Sequence, residues 1–180
     1  MKDADAKLVE ACRGGNKRAF ETLVIRYERP VFNAAYRILN NREDANDISQ
    51  TVFLKVYERL DSYKPEYKFY SWIYRIAINE SLTMLNNRKP GSPIDEQQVS
   101  EDPSPEQLAD SDQLGRKLQG ALMQITADNR AVVVLKHFLG CSYRDISEIL
   151  GIPEKTVKSR LFTARQQLRT TLLRDGMDCL

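Results

Sequence analysis

Apolar residues in the N-terminal half of this chain recur at spacings of three and four, as on a helix with one buried face, rather than alternating as in a half-buried strand. Phe20, Leu23, Val24 and Tyr27 form one such stripe, and Val31, Ala34, Ala35 and Ile38 continue it beyond Pro30. Pro30 lacks the N–H that would close the preceding turn, so a break or kink is expected there. Asn41-Arg-Glu-Asp44 announces a second helix running to about Leu60, with Ile48, Val52, Val56 and Leu60 on its inner side. Its other side shows Asp44, Asp47 and Gln50, with Phe53 at the edge. A third helix is expected to start at Ser71 as its N-cap and to carry Ile73, Ile76, Ala77 and Met84 toward a core. Arg75, Asn79 and Asn86 fall on its opposite face.

The C-terminal pattern is sharper. Thr126 can cap a helix that runs through Arg130 to Leu139 and ends at Gly140. Ser142-Tyr-Arg-Asp145 reads as a capping box opening a helix with Ile146, Ile149 and Leu150, which stops at Gly151-Ile-Pro153. Pro153 then opens a long helix, where its fixed φ and missing N–H cost nothing. Two helices joined by a short turn containing Gly match a helix-turn-helix. Ser147, small, lets the two helices approach, and Val157 is placed to point into the core. On the last helix Val157, Leu161, Ala164, Leu168 and Leu172 form one apolar stripe. The opposite arc holds Lys155, Ser159, Phe162, Thr163 and Gln166, with Lys158, Arg160, Arg165 and Arg169 around the rim. Short groups for base edges beside cations for phosphates are what a recognition helix needs.

Charge divides the chain. Lys+Arg 27 nearly balance Asp+Glu 25, for a net charge of +2. Between Pro90 and Asp112, however, there are Asp95, Glu96, Glu101, Asp102, Glu106, Asp110 and Asp112 and no basic residue, along with four of the seven prolines. Repelling acids and missing backbone donors make this an extended, flexible acidic linker rather than a packed element. The expected fold class is therefore all-α, with two helical domains, 1–89 and 113–180, joined by a linker over 90–112.

Composition excludes several functions. Cys12, Cys141 and Cys179 are odd in number and far apart, which argues against a disulfide framework and against zinc-ligand spacing. His137, the single imidazole, sits in an apolar stretch and reads as a packed or surface residue. There is no Gly-rich phosphate loop, nucleophile elbow or His-Glu-x-x-His pair, so no catalytic residue, metal or cofactor is expected. Apolar runs are too short to span a bilayer and the N-terminus lacks a secretory signal, which points to a cytoplasmic protein without direct membrane insertion.

In the loop from Asp61 to Ser71, Tyr63, Tyr67, Phe69 and Tyr70 are interleaved with Lys64 and Lys68. Rings offer stacking faces worth roughly 1–3 kcal/mol per base, and cations neutralise phosphates, so the segment suits unpaired nucleic acid. Composition alone leaves open the other role, in which Tyr63, Phe69 and Tyr70 seal the core edge. Trp72, beside Ile73 and Ile76, reads as core.

Taken in order, these segments resemble the extracytoplasmic-function (group 4) sigma factors of the bacterial sigma-70 family, over almost the whole chain. Asp44-Ala-Asn-Asp-Ile-Ser-Gln-Thr-Val-Phe53 is similar to the family's region 2.2 pattern, Asp-Ala-x-Asp-x-x-Gln-x-x-Phe. Phe69-Tyr-Ser-Trp-Ile-Tyr-Arg-Ile-Ala-Ile-Asn79 resembles regions 2.3 and 2.4. Ser142-Tyr-Arg-Asp-Ile through Thr156-Val-Lys-Ser-Arg-Leu-Phe-Thr-Ala-Arg165 resembles region 4.2. Departures include Asn46 and Ser49 in the first motif, and Lys155 and Thr163, where Gly and Arg are common.

The resemblance implies an alternative sigma factor that binds core RNA polymerase and directs promoter-specific initiation; the competing possibility is a decoy that binds an anti-sigma factor without initiating transcription. It implies that Asp44, Asp47, Gln50 and Phe53 dock on the β′ coiled coil, with the β flap as a second polymerase contact. Tyr63, Lys64, Tyr67, Lys68, Phe69, Tyr70, Arg75 and Asn79 would capture and melt the promoter's −10 element. Lys155, Thr156, Lys158, Ser159, Arg160, Phe162, Thr163 and Arg165 would read the −35 element. Promoter DNA and an anti-sigma factor are the further partners it implies. The two elements lie about 70 Å apart, which some twenty extended residues can span.

Overall fold

A computed structural model of the chain describes residues 2–88 and 109–174. Its helices are α1 (Lys2–Arg13), α2 (Lys17–Leu39), α3 (Arg42–Glu58), α4 (Phe69–Asn87), α5 (Ala109–Met123), α6 (Ala127–Val133), α7 (Tyr143–Leu150) and α8 (Glu154–Arg174), and no strand occurs among the described residues. A 3₁₀ turn at Leu60–Ser62 follows α3, and a wide π turn at Val134–Phe138 continues α6. Residues 89–108, most of the acidic segment, lie outside the described residues, as does Cys179; α5 opens at Ala109, within the span expected as linker.

Helices α1–α4 pack into one module. Leu23, Tyr27, Val31, Ala35 and Ile38 of α2 are buried against Ile48, Val52 and Val56 of α3 and Ile73, Ala77 and Ile78 of α4, as their periodicity requires. Two local expectations are corrected. Helix α2 runs unbroken through Pro30. Leu23 and Tyr27 before the proline and Val31 and Ala34 after it share one buried stripe, so tertiary packing outweighs the bond that Pro30 removes. Helix α4 begins at Phe69 with Lys68 at its cap position, and Ser71 lies inside the first turn, buried and with its hydroxyl unpartnered. The aromatic pair Tyr27–Phe69, 5.4 Å between ring centroids, explains the early start, because burying Phe69 draws it into the helix.

Helix α1 closes this module with polar contacts. Its Asp5, 1% exposed, accepts hydrogen bonds from the Tyr27 hydroxyl (2.7 Å) and the Arg26 guanidinium. Burial and the neighbouring Asp5 carboxylate push the Tyr27 phenol strongly upward. At the other end of α1, Arg13 donates to the carbonyls of Leu60 (3.0 Å), Asp61 (3.1 Å) and Tyr63.

Helices α5–α8 form the second module around Leu122, Val132, Leu135, Ile146, Ile149, Val157, Leu161 and Ala164. Thr126 caps α6 by accepting from Asn129 N–H (3.4 Å). The capping box of α7 is complete: Ser142 Oγ accepts from Asp145 N–H (3.1 Å) and Asp145 Oδ2 accepts from Ser142 N–H (3.0 Å). Gly151 ends α7 at φ 65°, a left-handed conformation that costs glycine little. Ser147 does more than provide space, since its hydroxyl donates to the Ile152 carbonyl (2.6 Å) and fastens the turn.

The modules touch along one face. Arg130 of α6, buried, donates to Leu122 O (2.9 Å) and Ile125 O (3.1 Å) in its own module and to Ile38 O at the end of α2. A guanidinium satisfying carbonyls at the C-terminal ends of two helices is favoured by their dipoles, although desolvation lowers its pKa. Beside it, Arg37 donates to Gln119 Oε1 (2.9 Å) and stacks over the Phe138 ring at 4.7 Å. At the opposite edge, α7 packs on α4.

Candidate nucleic-acid interfaces

Helix α8 presents one face outward. Lys155, Lys158, Ser159, Phe162, Thr163, Gln166, Arg165 and Arg169 are all exposed, Phe162 at 66%, while Val157, Leu161 and Ala164 anchor the other side. Thr156 and Arg160 lie between the two faces. Arg160 pairs with Asp128 of α6 at 2.7 Å, so it serves module packing as well as surface charge. Lys158 sits over the Tyr143 ring at 5.8 Å, which positions the ammonium near the turn. His137 is exposed and 3.3 Å from Arg165; partial burial, then Arg165 and Lys136, lower its pKa and keep it neutral near pH 7.

The aromatic loop is a braced structure. Arg13 holds its opening carbonyls, and the Tyr63 hydroxyl donates to Tyr67 O (2.7 Å), drawing the turn onto its own ring. Tyr63 and Phe69, 4% and 1% exposed, pack edge to face at 5.5 Å, so both seal the core edge. Trp72 leans on both rings but remains half-exposed. Above them opens a cavity of about 410 Å³ lined by Ser62, Tyr63, Lys64, Tyr67, Ser71, Trp72, Arg75 and, from the second module, Glu148. Ser71, whose buried hydroxyl is unpartnered, is among its lining residues. Tyr67, 52% exposed, and Lys64 stand at the rim, and Asn79 is exposed one turn beyond Arg75.

Lys68 and Tyr70 are occupied. The Lys68 ammonium donates to Tyr70 Oη (2.9 Å) and to Asp145 Oδ1 (2.8 Å) across the module boundary. These two hydrogen bonds raise the Lys68 pKa, and burial raises that of Tyr70. Burial alone would raise the Asp145 carboxyl, but Lys68 and Ser142 outweigh it and hold the pKa at about 2. Of the expected loop residues, the structure thus gathers Tyr63, Lys64, Tyr67 and Arg75 around the cavity, sinks Phe69 beneath it and pairs Lys68 with the other module.

A third surface lies on α3. Asp47, Gln50, Thr51 and Leu54 line a shallow open groove, with Leu54 60% exposed. Asp44 is at its N-terminal end but forms an ion pair with Arg88. Phe53 is half-buried against the core. Leu54 was not among the expected contacts, although its place on the Asp47–Gln50 side, at spacings of seven and four, marks it as the apolar member of that face. Among the described residues, no group of three or more His, Cys, Asp or Glu could hold a metal ion, and no helix is long and apolar enough to cross a membrane.

The fold and these surfaces define a two-module helical protein whose second module is a helix-turn-helix with a basic outer face. Comparison with known proteins takes this further. The family model Sigma-70 region 2 matches residues 23–90, and Sigma-70, region 4 matches residues 115–168. The chain is 31% identical to the RNA polymerase sigma-H factor of Pseudomonas aeruginosa, over 94% of each chain. It is 32% identical to the ECF RNA polymerase sigma factor SigW of Bacillus subtilis, over 92% of this chain and 95% of that one. Among solved structures, CnrH in complex with the cytosolic domain of CnrY matches with a TM-score of 0.76 and 27% identity, over 96% and 99% of the two chains. The chain belongs to the sigma-70 family, as a sigma factor of the extracytoplasmic-function class. The all-α, two-module architecture expected from the sequence is the one observed.

Proposed function

We propose that this chain binds core RNA polymerase and directs initiation at promoters whose −35 element is read by α8 and whose −10 element is captured at the aromatic loop. The observation that carries the reading is the pairing of two surfaces. One is an exposed helix face of cations around Ser159, Phe162 and Thr163. The other is an aromatic cavity walled by Tyr63, Tyr67 and Trp72, with Lys64 and Arg75 at hand for phosphates. The first suits a major groove and the second an extruded base.

In this scheme residues 1–89 hold polymerase and open the DNA, residues 113–180 read the duplex, and 90–112 joins them. Melting requires no bond making or breaking by this chain. The cavity need only bind an unstacked base strongly enough to offset the few kcal/mol of unstacking and unpairing. Ser71 contributes to the cavity wall, with its hydroxyl buried and unpartnered beneath the surface. Phe69 supports Tyr63 and Trp72 from below rather than stacking on DNA. On α3, Asp47 and Gln50 supply polar contacts to the β′ coiled coil and Leu54 an apolar one, while Asp44 fixes the helix end through Arg88.

On this reading the protein works in the cytoplasm beside the transcription machinery, and the exposed basic face of α8 and the open α3 groove support it. The relative CnrH is described in complex with the cytosolic domain of CnrY, and a bound protein partner, an anti-sigma factor, belongs to the same proposal. Run-off transcription tests it. Core enzyme plus this chain should yield new transcripts from a genomic promoter library, and core enzyme alone should not; the absence of any chain-dependent transcript refutes it.

A further inference from the structure

The aromatic cavity is shaped by a residue that does not line it. Arg13, at the C-terminal end of α1, reaches a turn 47 to 50 residues further along the chain. One guanidinium nitrogen, Nη2, donates to the carbonyls of Leu60 (3.0 Å), Asp61 (3.1 Å) and Tyr63. Three carbonyls can converge on one cation only where the backbone curls around it, here through the 3₁₀ turn Leu60–Ser62 and the extended residue Tyr63. The carboxylates nearest the same guanidinium, Glu10 at 3.8 Å and Asp61 at 3.9 Å, are exposed and contribute little. The hold comes from the carbonyls, through charge-assisted bonds to a side chain that is 24% exposed.

From Tyr63 the constraint passes into the cavity. The Tyr63 ring stands 5.5 Å from Trp72 between centroids, and its hydroxyl donates to Tyr67 O (2.7 Å), so the backbone at Tyr63 fixes both a wall and the rim. The far end of the loop is tied to the same helix. Asp5 of α1 accepts from the Tyr27 hydroxyl, and the Tyr27 ring packs on Phe69, the first residue of α4. Helix α1 therefore brackets the loop at its opening and at its close. We propose that Arg13 is a positioning residue of the −10 site: by holding the Leu60–Tyr63 backbone it keeps the cavity in one shape, and so sets how sharply the captured base is discriminated, without contacting DNA. The inference deepens the reading of the 61–70 loop as the single-strand site and rests on it. The role requires the reach of Arg. A Lys side chain is one bond shorter, so its ammonium stops short of the point where the three carbonyls meet, although it keeps the positive charge.

The test uses holoenzyme assembled from core RNA polymerase and the full chain, wild type, Arg13→Lys or Arg13→Met, on a promoter recovered in the run-off experiment. Run-off rates are measured on that promoter and on its single-base −10 and −35 variants. The ratio between the best and worst base at the most discriminated position is read within one preparation, so it does not depend on how much of the chain is folded. Both substitutions should reduce the −10 ratio about three- to tenfold and leave the −35 ratio unchanged. A template pre-melted across the −10 element should bring their rates to within about twofold of wild type, because capture no longer has to offset unpairing. Wild-type −10 ratios in both variants would overturn the assignment. A normal ratio in Arg13→Lys with a reduced one in Arg13→Met would overturn it in favour of charge alone. Equal relaxation at −35, or variants that the pre-melted template does not restore, would overturn it in favour of a general loss of structure. If wild type transcribes with a −10 preference and the variants match it, only the role of Arg13 fails. If wild type gives no chain-dependent transcript, or transcribes with no −10 preference, the reading of the loop itself fails.

Discussion

Replacing Asp145 by Asn and by Ala separates two contributions made by one carboxylate. Its ionised form is stabilised by the Lys68 ammonium at 2.8 Å, and its oxygen caps α7 by accepting from Ser142 N–H at 3.0 Å. Asn keeps an acceptor for the cap and removes the charge; Ala removes both. A carboxyl held at about 2 rather than the ordinary 3.8 corresponds to at most about 2 kcal/mol of folding free energy. Lys68, whose side chain is 41% exposed, screens that to about 1 kcal/mol. Loss of the cap adds about 1 kcal/mol more for Ala.

The sign of the pH effect follows from the depressed pKa. The stabilisation is complete above the unfolded value near 4 and is lost as pH falls through the folded value near 2, with about half gone by pH 3. Urea unfolding followed by circular dichroism at pH 7, 4 and 3 measures it. The gap between wild type and Asp145→Asn should be about 1 kcal/mol at pH 7 and roughly half that at pH 3, whereas the gap between the Asn and Ala variants should not depend on pH. A wild-type–Asn gap equal at pH 7 and pH 3 refutes the charge account, and an Asp145 carboxyl that titrates near 4 by carbon NMR refutes it independently.

Other surfaces give simpler expectations. Asp47→Ala, Gln50→Ala and Leu54→Ser should each weaken core-enzyme binding without lowering the melting temperature, because all three line the open α3 groove; a pull-down with unchanged retention would contradict the docking assignment. On α8, Arg165→Ala should weaken duplex binding evenly across sequences and reduce the salt slope by about one, while Phe162→Ala or Ser159→Ala should relax −35 selectivity; selection from a randomised −35 library shows which residue does which. Gly151→Ala places a Cβ at φ 65°, with an expected cost of about 1–2 kcal/mol, read as a lowered urea midpoint; an unchanged midpoint would show that the turn relaxes without strain.

Much of this molecule is legible in the sequence because each helix satisfies a local rule. The stripes on α2, α3 and α8 are period-3.6 patterns, and Asn41, Thr126 and Ser142 are caps that make the expected side-chain bonds. The misreadings share a cause. Pro30 and Ser71 each carry a strong local signal, a break and a cap, that burial of neighbouring apolar groups overrides. Helix α1 and its buried Asp5 escaped notice because a carboxylate looks like a surface residue until Tyr27 and Arg26 are folded around it. Arg13 and Arg130 are equally silent. Each binds backbone carbonyls distant in sequence, and no pattern of neighbours announces such a bond.

The contact between modules was hidden for a different reason: its residues are already explained locally. Asp145 completes a capping box and Lys68 precedes a helix in a cationic loop, so neither demands a partner elsewhere. Their meeting costs no extra residue type, which lets one carboxylate serve as cap and as ion-pair partner across the module boundary. That double use has a physical consequence. An acid held below its ordinary pKa stays ionised throughout the physiological range, so protonation cannot be the trigger for opening. Parting the two modules therefore takes a competitor for the Lys68 cation or for the module faces rather than a proton. The strength of this contact therefore sets how much binding energy a competitor has to spend to part the modules.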